Sequence, residues 1–259
     1  TAVFQWLWLE EQMATGALPA NADQFNSLHE KLVERFRTIF PNGGFVHFSS
    51  DADFVEDRQT VRFLEDLAKQ AGLDPEFVPI DQIGLNADGR FVDQNNYLIQ
   101  AMFKLYPWEQ MLRDDYAEPL PRAEMTVLEP AWKAILSNKG ILPLLWERQA
   151  GHPNLLEAYF ESDPQHGTLG SSYVRKPLFS REGANVALVD KGRKAKVLEG
   201  GYGDQPHIRQ ALHAPPRFEG SYVIVGSWLV GDQPAGIGLR EDRGRITRNT
   251  SRFVPHYIV

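Results

Sequence analysis

The chain has 259 residues, of which 42% are hydrophobic and 24% charged, a composition ordinary for a globular protein. It contains no cysteine, which excludes disulfides, thiolate metal sites and a cysteine nucleophile, and which fits a reducing compartment, so we predict a cytoplasmic protein. No apolar run is long enough to span a bilayer, so no membrane function is expected.

The net charge of −7 is divided unevenly along the chain. Residues 1–130 carry 22 Asp and Glu against 10 Lys and Arg, whereas residues 131–259 carry 12 against 17. The acidic region suits a cationic ligand and the basic region an anionic one, although two solvated faces would give the same balance. The basic residues are dispersed and form no runs with interleaved aromatic residues, so nucleic acid is not predicted as a partner.

In the first half, helical and strand patterns alternate. Apolar residues at helical spacing predict helices over 24–40 and 55–73, the second closed by a glycine. Short apolar runs at 45–50 and 77–80 predict strands, and an Asp-Gly pair predicts a hairpin or turn within 85–93. This alternation is typical of a small α/β layer.

In the second half the pattern changes. Residues 95–160 are predicted to be mostly helical and punctuated by prolines. From residue 171 onward, short apolar runs separated by turns predict a series of strands: SYVRKPL, ANVALVD, AKVLEGG, HIRQAL, SYVIVGSWLV, AGIGLRE and RFVPHYIV. The predicted fold class is therefore α+β or α/β, with a β-rich C-terminal part.

The stretch KPLFSREGANVALV, residues 176–189, places small residues and a cation at the tip of a predicted hairpin. Glycine and alanine let backbone N–H groups approach an anion, while Ser180 and Arg181 add a hydroxyl and a planar cation. The tip is also compatible with a plain turn. The functional interpretation of this tip is a loop that closes over phosphates.

Three cations could serve the same anion. Lys139 lies on a Ser-Asn-Lys-Gly turn at the end of a predicted helix, where it could instead only interact with the helix dipole. Lys176 lies in a predicted strand, where an inward-facing lysine needs a partner. Arg240 ends a strand poor in side chains, and there an arginine could stabilise charge on a transferring phosphoryl group.

Several segments carry a resemblance to a known family: LEPAWKAILSNKGILPLLWE, YVRKPLFSREGANV, GIGLRED and RFVPH. They resemble the C-terminal part of the glutathionylspermidine synthetase family, and LYPWEQM at 105–111 resembles its bacterial acid–amine ligase branch. The resemblance implies an ATP-grasp-like fold, with a substrate-side region over 1–130 and a nucleotide-binding region over 131–259. It also implies an ATP-dependent ligase that joins a carboxylate to an amine through an acyl phosphate.

The resemblance also implies roles for individual residues. Arg240 is expected to be catalytic, by steadying the γ-phosphate and the acyl phosphate. Glu56 and Asp57 align with an acidic pair that suits a polyamine-like amine, although acids in the first turn of a helix are favourable without any ligand. The expected ATP contacts are Lys139, Lys176, Ser180, Arg181, Glu182, Gly183, Ala184, Asn185, Gln210 and Leu212.

The magnesium site of the family is expected outside this sequence. Its ligands would lie upstream of Thr1, so no metal ligand is predicted within the chain. The FKLYPWE segment differs from the Trp- and Thr-containing version of polyamine-ligating members, so neither glutathione nor spermidine is predicted as the substrate. Two alternatives to a ligase are a non-catalytic ATP-grasp remnant that binds nucleotide or peptide and a kinase-like phosphotransferase.

Overall fold

The computed structural model describes residues 2–194, 197 and 199–259. The chain divides into two compact units, one made of residues 27–134 and 229–235 and the other of residues 1–26, 135–228 and 236–259. We refer to them as the parallel-sheet unit and the antiparallel-sheet unit. The functional boundary at residue 130 stays a prediction, because these units describe packing and not the division of function.

The helices are mostly short. The α-helices are α1 (Ala2–Ala14), α2 (Leu28–Ile39), α3 (Val55–Gln70), α4 (Trp108–Met111), α5 (Ala134–Ser137) and α6 (Ile141–Arg148). Short 3-10 helices cover Ile80–Gln82, Leu120–Arg122, Ala131–Lys133 and Pro164–Leu169. Within the described residues, no helix combines the length and the apolarity needed to cross a membrane.

The strands form one parallel and several antiparallel sheets. In chain order they are β1 (Gly44–Ser50), β2 (Leu73–Pro79), β3 (Gly84–Leu85), β4 (Phe91–Val92), β5 (Ala101–Leu105), β6 (Thr126–Leu128), β7 (Ala158–Phe160), β8 (Tyr173–Pro177), β9 (Ala187–Asp190), β10 (Arg193–Lys194), β11 (His207–Ala211), β12 (Arg217–Phe218), β13 (Ser221–Val230), β14 (Gln233–Asp242) and β15 (Arg252–Val254).

The parallel-sheet unit is built on the order β2-β1-β5-β6. Helix α3 connects the neighbouring strands β1 and β2, because parallel strands need a crossover connection. Phe48 of β1 is fully buried and lies opposite Phe77 and Phe103 of the two adjacent strands. The ring of Phe36 on α2 meets the Phe48 ring at 6.1 Å, which joins the helix layer to the sheet.

The antiparallel-sheet unit contains a five-stranded sheet in the order β10-β9-β8-β11-β7. A second sheet has the order β12-β13-β14-β15, and residues 229–235 at the tip of its central hairpin are grouped with the other unit. The buried side chain of Gln5 on α1 joins the chain ends of this unit, because it donates to Ile237 O at 3.2 Å and contacts His256 Nδ1 at 2.7 Å. His256 therefore has a structural role.

The predicted elements of the first half are confirmed, as are the β8–β9 hairpin and the strands that follow residue 200. The prediction that residues 95–160 are mostly helical is wrong. The apolar run at 101–105 pairs with β1 as a buried parallel strand, and prolines keep the helices around it short. The strand expected over 195–201 falls partly on residues outside the described part of the chain.

Candidate nucleotide-binding site

Lys176 and Gln210 are joined on one face of the five-stranded sheet. Lys176 lies opposite Ile208 in the antiparallel pairing of β8 and β11, and Gln210 is two residues further along β11, so both side chains lie on the same face. Lys176 Nζ donates to Gln210 Oε1 at 2.6 Å. Burial, followed by repulsion from Lys139, lowers the pKa of Lys176 to about 8. The ammonium group therefore carries a charge that lacks a counter-ion among these neighbours and that a phosphate would stabilise.

Lys139 is hydrogen-bonded to Ser180, at the start of the hairpin tip that was predicted to close over phosphates. It lies in the turn between α5 and α6, where its backbone N–H donates to Leu178 O at 2.8 Å and its Nζ donates to Ser180 O at 2.6 Å. The adjacent Gly140 is closely packed, since a Cβ there would lie 3.3 Å from Phe160 Cε1 and 3.4 Å from Leu178 Cδ2. The turn thus places a cation beside the loop through backbone as well as side-chain contacts.

The phosphate loop, which we define as residues 180–185, connects β8 to β9 at the tip of their hairpin. Glu182, Gly183 and Asn185 all have positive φ angles, of 54°, 76° and 54°. Hydrogen bonds from Ala184 N–H to Arg181 O and from Val186 N–H to Gly183 O close two successive turns. Left-handed residues within tight turns make backbone concavities of the kind that bind anions.

One polar atom in this loop is buried without a hydrogen-bond partner, the Oγ atom of Ser180. A buried hydroxyl without a partner is costly, and in native structures such a group calls for an explanation. A bound phosphate oxygen would supply the missing acceptor. Arg181, next in the chain, is exposed at the tip of the loop.

A second segment packs against the phosphate loop, and sequence reasoning did not assign it to the site. Asn185 Oδ1 accepts the backbone N–H of Tyr202 at 3.0 Å, and the N–H of Phe179 donates to Gln205 Oε1 at 3.0 Å. The Gly-Gly-Tyr-Gly run at 200–203 was a signal of a close backbone approach, but the run alone does not reveal its partner.

Arg240 lies on β14, in the other sheet of the same unit. Its Nη2 donates to Arg248 O at 2.6 Å, and its guanidinium lies 4.8 Å from the centre of the Phe253 ring on β15. The Nε atom is buried without a hydrogen-bond partner. The guanidinium is thus held by a carbonyl and a ring, neither of which neutralises its charge.

Asp242, two residues after Arg240 on β14, is held by three neighbouring groups. It accepts hydrogen bonds from Arg248, from Ser251 Oγ at 2.6 Å and from the N–H of Gly244. Led by the bond from Arg248, these contacts hold the pKa of Asp242 far below its usual range. Asp242 is therefore ionised and paired with Arg248, and it stabilises the segment that follows β14.

The opposite face of the five-stranded sheet carries a separate ionic cluster. Glu161 accepts from Arg175 at 2.7 Å and from Arg209 at 2.9 Å, and the hydrogen bond from Arg175, with that from Arg209, lowers the pKa of Glu161 to about 2. Because side chains alternate across a strand, this cluster faces away from Lys176 and Gln210. Leu212, another of the expected ATP contacts, directly follows β11 and is half-buried.

The predicted amine-binding pair belongs to the parallel-sheet unit. Glu56 and Asp57 form the first turn of α3, directly after the carboxyl end of β1. Burial, then the charges of Glu56 and Asp51, raise the pKa of Asp57 above its usual value. Like-charge crowding of this kind is relieved when a cation binds.

Among the described residues, no group of three or more His, Asp or Glu side chains is arranged to hold a metal ion.

The family model described as glutathionylspermidine synthase preATP-grasp matches residues 1–259. The chain belongs to this family. A Haemophilus influenzae protein provisionally named acid–amine ligase is 40% identical over 268 residues, covering 100% of this chain and 67% of its own length. Trypanothione synthetase of Crithidia fasciculata is 30% identical over 234 residues, covering 81% of this chain and 35% of its own length.

More distant similarities agree with this assignment. The bifunctional glutathionylspermidine synthetase/amidase of Escherichia coli is 29% identical over 242 residues, covering 83% of this chain and 38% of its own length. The chain therefore spans about two thirds of the first relative and little more than a third of the other two. The crystal structure of a provisionally named γ-glutamylcysteine synthetase from Methylobacillus flagellatus is similar with a TM-score of 0.55 and 12% identity, covering 90% of this chain and 75% of that chain.

The predicted family and fold class are confirmed, since the chain matches a family model described as preATP-grasp and combines a parallel α/β layer with antiparallel sheets. The predicted function, an ATP-dependent ligase of the glutathionylspermidine synthetase type, is confirmed at the level of the family, since the relatives are named ligases and synthetases. The names of these relatives also agree with the predicted enzyme class, a carbon–nitrogen ligase. The roles of single residues stay predictions.

Proposed function

We propose that the full-length protein joins a carboxylate to an amine with consumption of ATP, and that the antiparallel-sheet unit binds the nucleotide. The observation that carries this proposal is the pair of contacts Lys176–Gln210 and Lys139–Ser180, which hold two ammonium groups beside one turn-rich loop. Two cations brought to one loop from separate elements suit a triphosphate.

Two buried atoms without partners support ATP as the ligand. Ser180 Oγ and Arg240 Nε are both buried and lack hydrogen-bond partners, and both belong to residues assigned to the nucleotide by the family resemblance. Phosphate oxygens satisfy both kinds of donor. Gln210, held by Lys176, and the backbone at Leu212 would contact the adenine.

The reaction we infer has two stages. The substrate carboxylate takes the γ-phosphoryl group of ATP, which leaves ADP and an acyl phosphate, and the amine then displaces phosphate to give an amide. Lys139, Lys176, the phosphate loop and Arg240 act by holding and neutralising the phosphates, while no protein nucleophile takes part. Magnesium would neutralise phosphate charge when bound.

We propose that the amine is a cationic, polyamine-like molecule that binds beside Glu56 and Asp57. Burial, and then the like charges of Glu56 and Asp51, raise the pKa of Asp57, and an ammonium group bound beside it would relieve the repulsion between these charges. The carboxylate partner would be a small molecule or a peptide. Use of ATP and metabolite substrates suits a cytoplasmic enzyme.

The proposal is tested with the full-length protein, ATP and magnesium. Phosphate release is measured against a panel of carboxylates and polyamines, and mass spectrometry identifies the product. We expect phosphate release that requires both substrates and an amide product that the Lys176→Met variant does not form. Nucleotide binding without amine-dependent phosphate release would contradict the ligase and favour a binding protein, whereas a phosphorylated product would favour a phosphotransferase.

A further inference from the structure

The segment at residues 199–205, which we name the clasp loop, contacts the phosphate loop on both of its sides. Before the phosphate loop, the N–H of Phe179 donates to the side-chain carbonyl of Gln205. At its end, Asn185 Oδ1 accepts the N–H of Tyr202. The N–H of Leu178 also donates to Pro206 O at 3.0 Å, directly after the clasp loop. The phosphate loop is therefore bracketed by a second loop.

Gly200 lies at the tightest contact between the two loops. A Cβ atom at this position would lie 2.7 Å from Ala184 Cβ and 2.9 Å from Asn185 Oδ1, closer than such atoms approach in proteins. At Gly201, the next residue, a Cβ would have no heavy atom within 4 Å. Neither glycine has a positive φ angle, so glycine at 200 is required by close approach and not by backbone conformation.

Asn185 links the two loops through its side chain. Its φ angle of 54° is in the left-handed region, which asparagine tolerates better than most residues, and its Oδ1 is engaged by Tyr202. The side-chain oxygen of Asn185, Oδ1, therefore points to the clasp loop. Its contribution to nucleotide binding would be indirect, through the position of the backbone that it fixes.

We propose that the clasp loop positions the phosphate loop for ATP, with Gly200 and Asn185 as positioning residues. The inference rests on the proposed nucleotide site and assigns it a part that the family resemblance did not. Two hydrogen bonds close the turns within the hairpin tip, and the clasp loop, like Lys139, contributes hydrogen bonds from outside the hairpin. Fixing the loop before ATP arrives lowers the ordering cost of binding.

The decisive experiment compares Gly200→Ala with Gly201→Ala in the full-length protein. ATP affinity is measured by titration calorimetry and the melting temperature by differential scanning fluorimetry. Overpacking at Gly200 should weaken ATP binding by about tenfold or more, whereas Gly201→Ala should bind like wild type. The melting temperature of both variants should stay within about 3 °C of wild type, because the contact lies between surface loops.

A second substitution tests whether the contact itself is responsible. Ala184→Gly removes the nearest clashing atom, so in the Gly200→Ala background it should restore at least part of the lost ATP affinity. Asn185→Gly keeps the left-handed backbone and removes the acceptor for Tyr202 without adding a charge, so we expect it to weaken ATP binding.

The outcomes separate this inference from the proposed function. If wild-type protein binds no ATP, the nucleotide site itself is wrong. If wild type binds ATP and Gly200→Ala binds it equally well, the nucleotide site stands and the positioning role is overturned. Loss of ATP affinity in Gly200→Ala with an equal loss in Gly201→Ala would also overturn it, because only position 200 meets the phosphate loop.

Discussion

Lys176 Nζ and Gln210 Oε1 are 2.6 Å apart, so the ammonium group proposed for the phosphates is held by the side chain proposed for the adenine. The pairing ties β8 to β11 on the face that carries both residues. It uses one of the three N–H donors of the ammonium group and leaves the others available to phosphate oxygens. Substitution of Gln210 should therefore alter phosphate binding as well as base recognition.

The lowered pKa of Lys176 predicts a pH dependence of ATP affinity. With a pKa of about 8, the side chain is charged below this pH and loses its proton as the pH rises through it. ATP affinity should therefore fall between pH 7 and pH 9, by up to about tenfold, since one pH unit above the pKa leaves a tenth of the groups charged. Lys176→Arg stays charged throughout and should remove this dependence.

Titration calorimetry at pH 7, 8 and 9 would measure the effect on full-length protein. The Lys176→Met variant, which carries no charge at any pH, should bind weakly at all three. Equal slopes of affinity against pH in wild type and Lys176→Arg would show that another group titrates.

Arg181 at the tip of the phosphate loop is predicted to affect turnover more than stability. Arg181→Ala should lower the rate of phosphate release, while the free energy of unfolding should change by no more than about 0.5 kcal/mol, because an exposed loop tip contributes little to the core. Arg193→Ala, an exposed arginine on the short strand β10, is the matched control and should leave both unchanged. Equal losses of stability and of phosphate release in Arg181→Ala would contradict this prediction and indicate that the tip is a plain turn.

Arg240 is predicted to act in the chemical step. Lysine at this position would keep the charge but lose the planar group that stacks on Phe253 and donates to Arg248 O. Loss of a preorganised donor of this kind lowers kcat by about 10²–10³. We expect Arg240→Lys to show this loss of kcat. Its ATP affinity should stay within about threefold of wild type, which would separate an effect on the chemical step from an effect on binding. The exposed Arg243→Lys is its control, and a loss confined to ATP affinity would contradict the prediction.

Asp57 is predicted to contribute to amine binding. Asp57→Asn should raise the KM for the amine by about tenfold, typical of removing one charge from a close ion pair, and leave ATP affinity unchanged. Because the pKa of Asp57 is raised, its charge is lost as the pH falls, so the wild-type KM for the amine should increase on acidification. Asp66→Asn, at an exposed position on the same helix, is the control. An unchanged KM for the amine in Asp57→Asn would contradict amine binding and indicate that Glu56 and Asp57 only stabilise the first turn of the helix.

Asp93 is predicted to stabilise the fold and not to act in the reaction. It is 5% exposed and accepts hydrogen bonds from the N–H groups of Asn95 and Tyr97, while its Oδ2 lies 3.3 Å from His47 Nε2. Burial alone would raise the pKa of Asp93, but these contacts outweigh it and the pKa is lowered. Asp93→Ala should reduce the free energy of unfolding by about 2–4 kcal/mol, since several buried donors lose their acceptor.

The sign of the pH effect follows from the lowered pKa. The stabilisation by Asp93 is complete above the unfolded-state pKa of about 3.9 and is lost as the pH falls through the lower folded-state value. Urea denaturation at pH 7 and at acidic pH would measure it. The exposed Asp88→Ala is the control, and equal effects of the two substitutions would contradict the prediction.

Local patterns predicted local structure well. The apolar spacing of Leu28, Leu32 and Phe36 predicted α2, in which Leu28 and Phe36 are buried, and the small residues at 183 and 184 predicted the hairpin tip. The helical prediction for residues 95–160 was wrong because periodicity cannot separate a short buried strand such as β5 from a buried helix segment.

The site depended on contacts that no local pattern contains. Lys139 meets Ser180 across 41 residues, and Asn185 meets Tyr202 across 17. The family resemblance identified Lys139 and Ser180 as candidates, but a resemblance carries no information on partners outside its motifs. Tyr202 takes part through its backbone N–H, which leaves no trace in the identity of the side chain.

The open surroundings of Gly201 and the absence of cysteine from these 259 residues together offer a spectroscopic reporter. A Gly201→Cys substitution would introduce a single thiol into this chain, one residue from the contact between Gly200 and Ala184 and with no heavy atom within 4 Å of its Cβ. A fluorophore attached there would report changes at the contact between the two loops, so its persistence could be followed during single turnovers without altering a residue proposed to bind the nucleotide.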